Sequence, residues 1–177
     1  KFFVAKVQVP GRPSAEIIAN ALEKTVRNFP WPKSMRWGKK SLKWIRPLRS
    51  ILCILSDDAG TEIVPLEIDG ILAGSTTYGH RFHAPTQINI TDFDDYIAKL
   101  KKAFVILDAE ERSKMIVQDI ENLVFANGCE LVKDLDLLTE VTGLIEWPVV
   151  LMGRIDESFL ELPPEILQMS MKKHQKF

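Results

Sequence analysis

Residues 51–74 read ILCILSDDAGTEIVPLEIDGILAG, and this stretch decides the fold class. The run Ile51-Leu52-Cys53-Ile54-Leu55 is too short for a typical helix and meets the turn-like Asp57-Asp58-Ala59-Gly60, so it reads as a buried strand. Thr61 to Ile68 alternates well enough to be its neighbour. Asp69-Gly70 is a strong two-residue hairpin signal, because both central positions of that turn want positive φ. A β-meander through about Gly74 follows, and Gln87-Ile88-Asn89-Ile90 adds another strand.

Helical patterns lie on either side. After Pro13, the residues Ile17, Ile18, Ala21, Leu22, Thr25 and Val26 recur at helical spacing, and Phe29-Pro30 stops that helix. Thr91 is placed to cap a helix with an acidic first turn and a stripe of Phe93, Ile97, Leu100 and Phe104. Phe104 to Leu107 also fits a short strand. Asp108-Ala109-Glu110-Glu111 has the carboxylate-x-x-Glu form of a capping box, and Ile116, Ile120, Leu123 and Val124 mark a long helix ended by Gly128. A shorter helix spans Leu135 to Thr142 and ends at Gly143. Trp147 to Met152 reads as a buried strand, and Pro163-Pro164 opens a last helix with a basic end. The expected class is therefore α+β, a mixed or mainly antiparallel sheet with flanking helices.

The chain is long enough, at 177 residues with 46% apolar and 27% charged, for one domain or one and a half with a real core. We read it as a single domain, 1–177. Residues 1–30 form an N-terminal strand and helix, 31–160 an α+β core, and 161–177 the start of a connecting helix. No run approaches the length of a membrane span, and Lys1-Phe2-Phe3-Val4 lacks the plan of a signal peptide. A first residue other than Met and an end inside a helix fit a piece of something longer. Cys53 and Cys129, each in an apolar stretch, fit buried thiols in a reducing compartment better than a disulfide.

Nothing in the chain suggests self-contained catalysis. A Gly-rich phosphate loop, a Cys/His set with zinc spacing and a serine-hydrolase nucleophile motif are all missing, so no catalytic and no metal-ligating residue is assigned. Glu140 and Glu146 read as surface carboxylates, and the acidic helix starts as caps.

The net charge of −1 hides an uneven distribution. Lys33, Arg36, Lys39, Lys40, Lys43, Arg46 and Arg49 fall in one run without Asp or Glu, with Trp31, Trp37 and Trp44 in or beside it. Such cations neutralise phosphates, and an indole among them stacks an unpaired base or a ribose. Trp44, beside Ile45 and the expected strand, is assigned to packing, whereas Trp37 suits packing or stacking. The run as a whole reads as an RNA-facing or partner-facing surface. A second candidate is Thr76 to Pro85, where His80 and Arg81 flank a flexible Gly beside a sheet. There Arg81 suits a phosphate or carboxylate, and His80 a phosphate, base edge or carbonyl. The alternative is that both tie a turn to a neighbouring acidic residue.

Four blocks, in order, resemble the beta chain of bacterial glycyl-tRNA synthetase. They are Phe29 to Gly38, Ile45-Arg46-Pro47-Leu48-Arg49, Thr76 to Pro85, and Leu138 to Val149; the ending Met171-Lys172-Lys173-His174-Gln175-Lys176 looks like that family too. Tyr78 stands where the family often has Arg. The resemblance implies a cytoplasmic α2β2 enzyme that joins glycine to its tRNA. ATP, with Mg, and glycine would be used mainly on the alpha chain and no cofactor held by this stretch. Its partners would be glycine tRNA and the alpha chain, with no membrane and no DNA. It further implies a fold similar to the editing-type domain of the phenylalanyl enzyme's beta chain. Two roles follow: a tRNA-binding module in which Lys33 to Arg49 guide the backbone and His80 and Arg81 line the same groove, or a hydrolytic editing domain for mischarged tRNA. A docking domain is a third.

Overall fold

A computed structural model describes residues 2–8, 10–58 and 60–177. The chain is α+β and divides into two compact units: residues up to Thr77 together with Gln87–Tyr96, and Tyr78–Thr86 together with Ile97–Phe177. No helix among the described residues is long and apolar enough to cross a membrane.

In the first unit, helix α1 (Ser14–Arg27) lays Ile18, Ala19, Leu22 and Val26 on a cluster of buried Leu42, Val64, Leu66 and Ile68. This packing face is offset from the predicted stripe, since Ile17, Ala21 and Thr25 are exposed while Ala15 is buried. The strands are β1 (Ile51–Leu52), β2 (Ile54–Asp57), β3 (Gly60–Ile63), β4 (Glu67–Ile68), β5 (Ile71–Gly74), β6 (Thr76–Tyr78) and β7 (Gln87–Asn89). They form a mixed three-stranded sheet in the order β1-β5-β4, an antiparallel β2–β3 hairpin and a β6–β7 pair.

The single strand expected over 51–55 is instead two. Cys53 donates its N–H to Gly74 O (3.2 Å) and accepts the N–H of Val64 at its carbonyl (3.1 Å), so the chain leaves one sheet and enters the next at this residue. Partial burial pushes the Cys53 thiol above its ordinary pKa. Cys129, by contrast, is exposed, against the expectation of two buried thiols; both are free. The hairpin at Asp69-Gly70 forms as expected, with φ of 55° and 81° and Ile68 opposite Ile71. Among the described residues 2–8 no strand is formed where one was expected near the N-terminus, and Phe2 and Phe3 stand in the open.

Helix α2 (Phe93–Lys102) is capped by Asp92, whose carboxylate accepts the Asp95 N–H at 2.8 Å; Thr91 supports this cap by donating its hydroxyl to Asp92 and Asp95. Its C-terminus is a Schellman turn. Val105 N–H reaches Leu100 O (2.9 Å), Phe104 N–H reaches Lys101 O (3.3 Å), and Phe104 sits at φ 60°. A left-handed residue cannot continue into a strand, which is why the strand suggested over Phe104–Leu107 is absent.

In the second unit, α3 (Ala109–Ala126) is capped by Asp108 and ends on Gly128 at φ 64°, as predicted. It packs on α4 (Leu135–Leu144), whose cap is Asp134. Arg112 of α3 ties this unit together, donating to Ile106 O (2.6 Å), Leu107 O (3.0 Å) and Thr142 O (3.2 Å). Trp147–Met152 is not the expected buried strand. Ile106 N–H donates to Glu146 O, Trp147 packs on Phe104, and among the described residues no strand pairs with the segment, so Val149 and Leu151 project into solvent.

Helix α5 (Pro164–Ser170) starts on Pro163-Pro164 as read and continues as a π-helical turn, Met171–Gln175. Lys172 pairs with Asp134, and Lys176 with Glu140 at 2.8 Å, so two ion pairs fasten this basic end to α4. The hydrogen bond from Lys172, then that from Leu137 N–H, holds the Asp134 carboxyl below its ordinary pKa, and the same partner raises Lys172.

A carboxyl lowered by folding stabilises above its unfolded pKa and ceases to do so as pH falls through the folded value. Acidification below the ordinary carboxylate range should therefore loosen the C-terminal helix, seen as faster amide exchange over residues 164–176, and Asp134→Asn should abolish that dependence. Gly128→Ala should cost about 1–2 kcal/mol in urea unfolding, the penalty of a Cβ in the left-handed region.

Candidate nucleic-acid interface

The basic run is built into a closed loop. Met35 and Trp44 exchange backbone hydrogen bonds (Met35 N–H to Trp44 O, 2.8 Å; Trp44 N–H to Met35 O, 3.1 Å), forming an isolated antiparallel bridge. Within it, Leu42 is buried in the Val64–Leu66–Ile68 cluster, and Trp37 and Trp44 pack against the same cluster. Phe29, Trp31 and Trp44 form an aromatic group at the base, with centroids 4.5 to 5.8 Å apart.

Asp69 pins the far side of the loop. Its carboxylate accepts Leu42 N–H (3.3 Å) and the Ser41 hydroxyl (3.3 Å), while Lys40 Nζ donates to the Asp69 carbonyl. The hairpin turn between β4 and β5 thus serves as the loop's anchor.

All seven predicted cations, Lys33, Arg36, Lys39, Lys40, Lys43, Arg46 and Arg49, are exposed. Lys40 is occupied by the Asp69 carbonyl, and Arg46 leans on the carbonyl of Ile45 at 3.3 Å. No carboxylate among the described residues pairs with any of the seven. Trp37, weighed as stacking or packing, is partly buried against the core, as is Trp44.

His80 and Arg81 belong to the second unit. The tie proposed between His80 and an acidic residue is instead one to backbone: its Nδ1 accepts the N–H groups of Phe82 (3.3 Å) and His83 (3.2 Å). An imidazole that accepts at Nδ1 carries its hydrogen on Nε2 and presents a donor there. Further bonds fix the loop, from His80 N–H to Ala103 O (2.8 Å) and from Ala84 N–H to His80 O (2.9 Å). Gly79 is required by close approach, since a Cβ there would lie 2.5 Å from Ala103 Cβ and 2.7 Å from Ala84 O. His83 stacks between His80 (4.5 Å) and Phe104 (5.1 Å), and Arg81 lies over the Phe82 ring at 5.5 Å.

Sequence reasoning missed Asp69 and Leu42 as the residues that hold the basic loop, and it passed over Phe82. Leu42 had a partial signal, being an aliphatic residue set directly among Lys39, Lys40 and Lys43, though Ile45 and Leu48 share the run. Among the described residues no group of three or more His, Cys, Asp or Glu is gathered as metal ligands would be. Glu140 and Glu146 are both exposed, as expected of surface carboxylates.

Taken by itself, this geometry defines an α+β chain presenting a hydrogen-bonded cationic loop suited to a polyanion. Comparison with known proteins gives the family. The family model described as the glycyl-tRNA synthetase beta subunit matches residues 1–177. The chain is 62% identical over 175 residues to the glycine–tRNA ligase beta subunit of Ruegeria sp. (strain TM1040), covering 99% of this chain and 26% of that relative. It is 61% identical over 173 residues to the beta subunit of Paracoccus denitrificans (strain Pd 1222), covering 98% and 25%. This chain belongs to the glycyl-tRNA synthetase beta subunit family. It spans about a quarter of the length of the curated relatives it matches.

Because Gly79 touches backbone and a buried alanine, Gly79→Ala should destabilise the chain by about 1–3 kcal/mol, the usual cost of forcing extra volume into a packed site. Asp69→Gly keeps the turn's left-handed backbone but removes the carboxylate. It should cost about 1–2 kcal/mol through the two lost acceptor contacts, read from the urea midpoint.

Proposed function

We propose that this chain is a tRNA-binding module of a glycine–tRNA ligase, in which the 35–44 loop and its flanks guide the backbone of glycine tRNA. The reaction itself, using ATP with Mg and glycine, then lies mainly on an alpha chain partnered with the beta chain as α2β2 in the cytoplasm. The observation that carries the reading is the set of seven exposed cations without a carboxylate partner, four of them (Arg36, Lys39, Lys40 and Lys43) on a loop held by Leu42 and Asp69 and three on its flanks. Unpaired cations give up little on meeting phosphates, and a fixed loop loses little entropy on binding. His80 and Arg81 contribute from their own loop, His80 as an Nε2 donor and Arg81 as an unpaired guanidinium.

Hydrolytic editing of mischarged tRNA, in a fold similar to the editing-type domain of the phenylalanyl enzyme's beta chain, draws less support. The Nδ1 of His80 is already taken by two backbone amides, so that nitrogen is not free to activate water. Glycine is also the smallest amino acid, so larger competitors are excluded by size and a second sieve has less to do.

Arg36 and Lys43 are the informative positions, because Lys40 is held by the Asp69 carbonyl and its loss would disturb the loop. Replacing both by Ala should weaken glycine-tRNA binding and lower the slope of log K against log salt by about 1 per residue while the unfolding midpoint stays put. An unchanged slope would sink the reading and direct the basic face toward the alpha chain.

A further inference from the structure

We infer that the Tyr78–Ala84 loop is a nucleotide-binding platform on which an unpaired RNA base stacks against Phe82 while Arg81 takes an adjacent phosphate. The inference deepens the tRNA-binding reading and rests on it. Three observations lead to it.

First, Phe82 is 79% exposed although its backbone amide is hydrogen-bonded within the loop. His80 Nδ1 accepts the Phe82 and His83 amides, Ala84 N–H closes on His80 O, and Gly79 is wedged against Ala103. The ring therefore does not fold back onto the core. A fixed, solvent-facing aromatic surface is what stacking requires, since the ordering cost has already been met.

Second, the ring carries its own cation. The Arg81 guanidinium lies 5.5 Å from the Phe82 centroid, and no carboxylate among the described residues pairs with it. A planar guanidinium held beside an aromatic face offers both a bidentate phosphate contact and a second stacking plane.

Third, the surroundings favour an anion. No Asp or Glu occurs between Asp69 and Asp92 in the sequence, and exposed Tyr78 and His83 flank the loop. An acidic or purely apolar protein partner would leave one half of this Arg–Phe pair unused, whereas a nucleotide uses both. Every base presents a π-face, so the platform reads unpaired strand over duplex rather than one sequence.

The test compares this chain's affinity for a short single-stranded RNA with that for the same strand annealed to its complement. Phe82→Ala should bind the single strand about tenfold more weakly, with the duplex and the salt slope unaltered and the unfolding midpoint unmoved, and Phe82→Trp should retain wild-type preference. Unchanged single-strand affinity in Phe82→Ala, or failure of Phe82→Trp to retain it, overturns the platform. Its failure is separable from that of the underlying reading. If Arg36→Ala with Lys43→Ala flattens the salt slope while Phe82→Ala changes nothing, only the platform falls. If Phe82→Ala loses the preference while the double variant changes nothing, the guiding role of the basic loop falls and the platform stands. Absence of RNA binding at low salt overturns both.

Discussion

The burial of Leu42 is the constraint on which the first unit's surface depends. A run of seven cations with no acidic residue repels itself, and left alone would be extended and mobile. One aliphatic side chain in the middle of it is drawn into the Val64–Leu66–Ile68 cluster, against which α1 also packs. Once Leu42 is inside, the Met35–Trp44 bridge closes and Asp69 captures the Leu42 amide. Full burial of a leucine is worth about 1.5–3 kcal/mol, enough to outweigh the screened repulsion of exposed charges at ordinary ionic strength. Apolar packing thus holds a charge pattern in place that electrostatics alone would disperse.

Helix ends show where sequence is informative and where it is not. Helices α2 and α3 finish in the same Schellman geometry, yet one puts Gly128 at the left-handed position and the other Phe104. Gly128 was legible because glycine takes that conformation without penalty. Phe104 was read as a stripe or strand residue, because nothing local marks a phenylalanine for positive φ. Its conformation is held by tertiary contacts, with His83 at 5.1 Å on one side and Trp147 at 5.3 Å on the other. The acidic caps act on amides two or three residues away, within the reach of local sequence, so the Asp108 cap was legible, whereas the α2 cap expected at Thr91 falls one residue later, at Asp92.

The sheet was partly readable on the same terms. Asp69-Gly70 named its own turn and the meander and the 87–90 strand were legible as β5 and β7, but the one strand read over Thr61 to Ile68 is two, β3 and β4, in different sheets. What could not be seen was that the 51–55 run divides at Cys53, because the division is imposed by two partners distant in sequence, Gly74 at the end of β5 and Val64 just after β3. Trp147–Met152 failed as a strand for want of a neighbour: β-branched and aliphatic residues describe a segment able to pair, not one that does. Likewise the seven cations were visible in the sequence as charge, whereas their freedom from carboxylates is a property of the folded surface.

His80 shows how a residue chosen for chemistry can serve geometry and still leave function behind. By accepting two amides at Nδ1 it spends that nitrogen on the turn, which removes it as a base there but sets the tautomer, so that Nε2 is a donor of known direction. The same bonds fix the backbone that holds Arg81 and Phe82 outward. A loop stabilised by its own histidine needs no acidic partner, and it therefore brings no negative charge to a surface that has to meet phosphate. The basic loop arrives at a similar result by another route, since its one carboxylate, Asp69, is turned onto the amide and hydroxyl of the loop itself rather than onto Arg36, Lys39 or Lys43. In both loops the anchoring contacts leave the cations without a carboxylate partner, Lys40 alone being spent on the Asp69 carbonyl, and so open to a ligand from outside the chain.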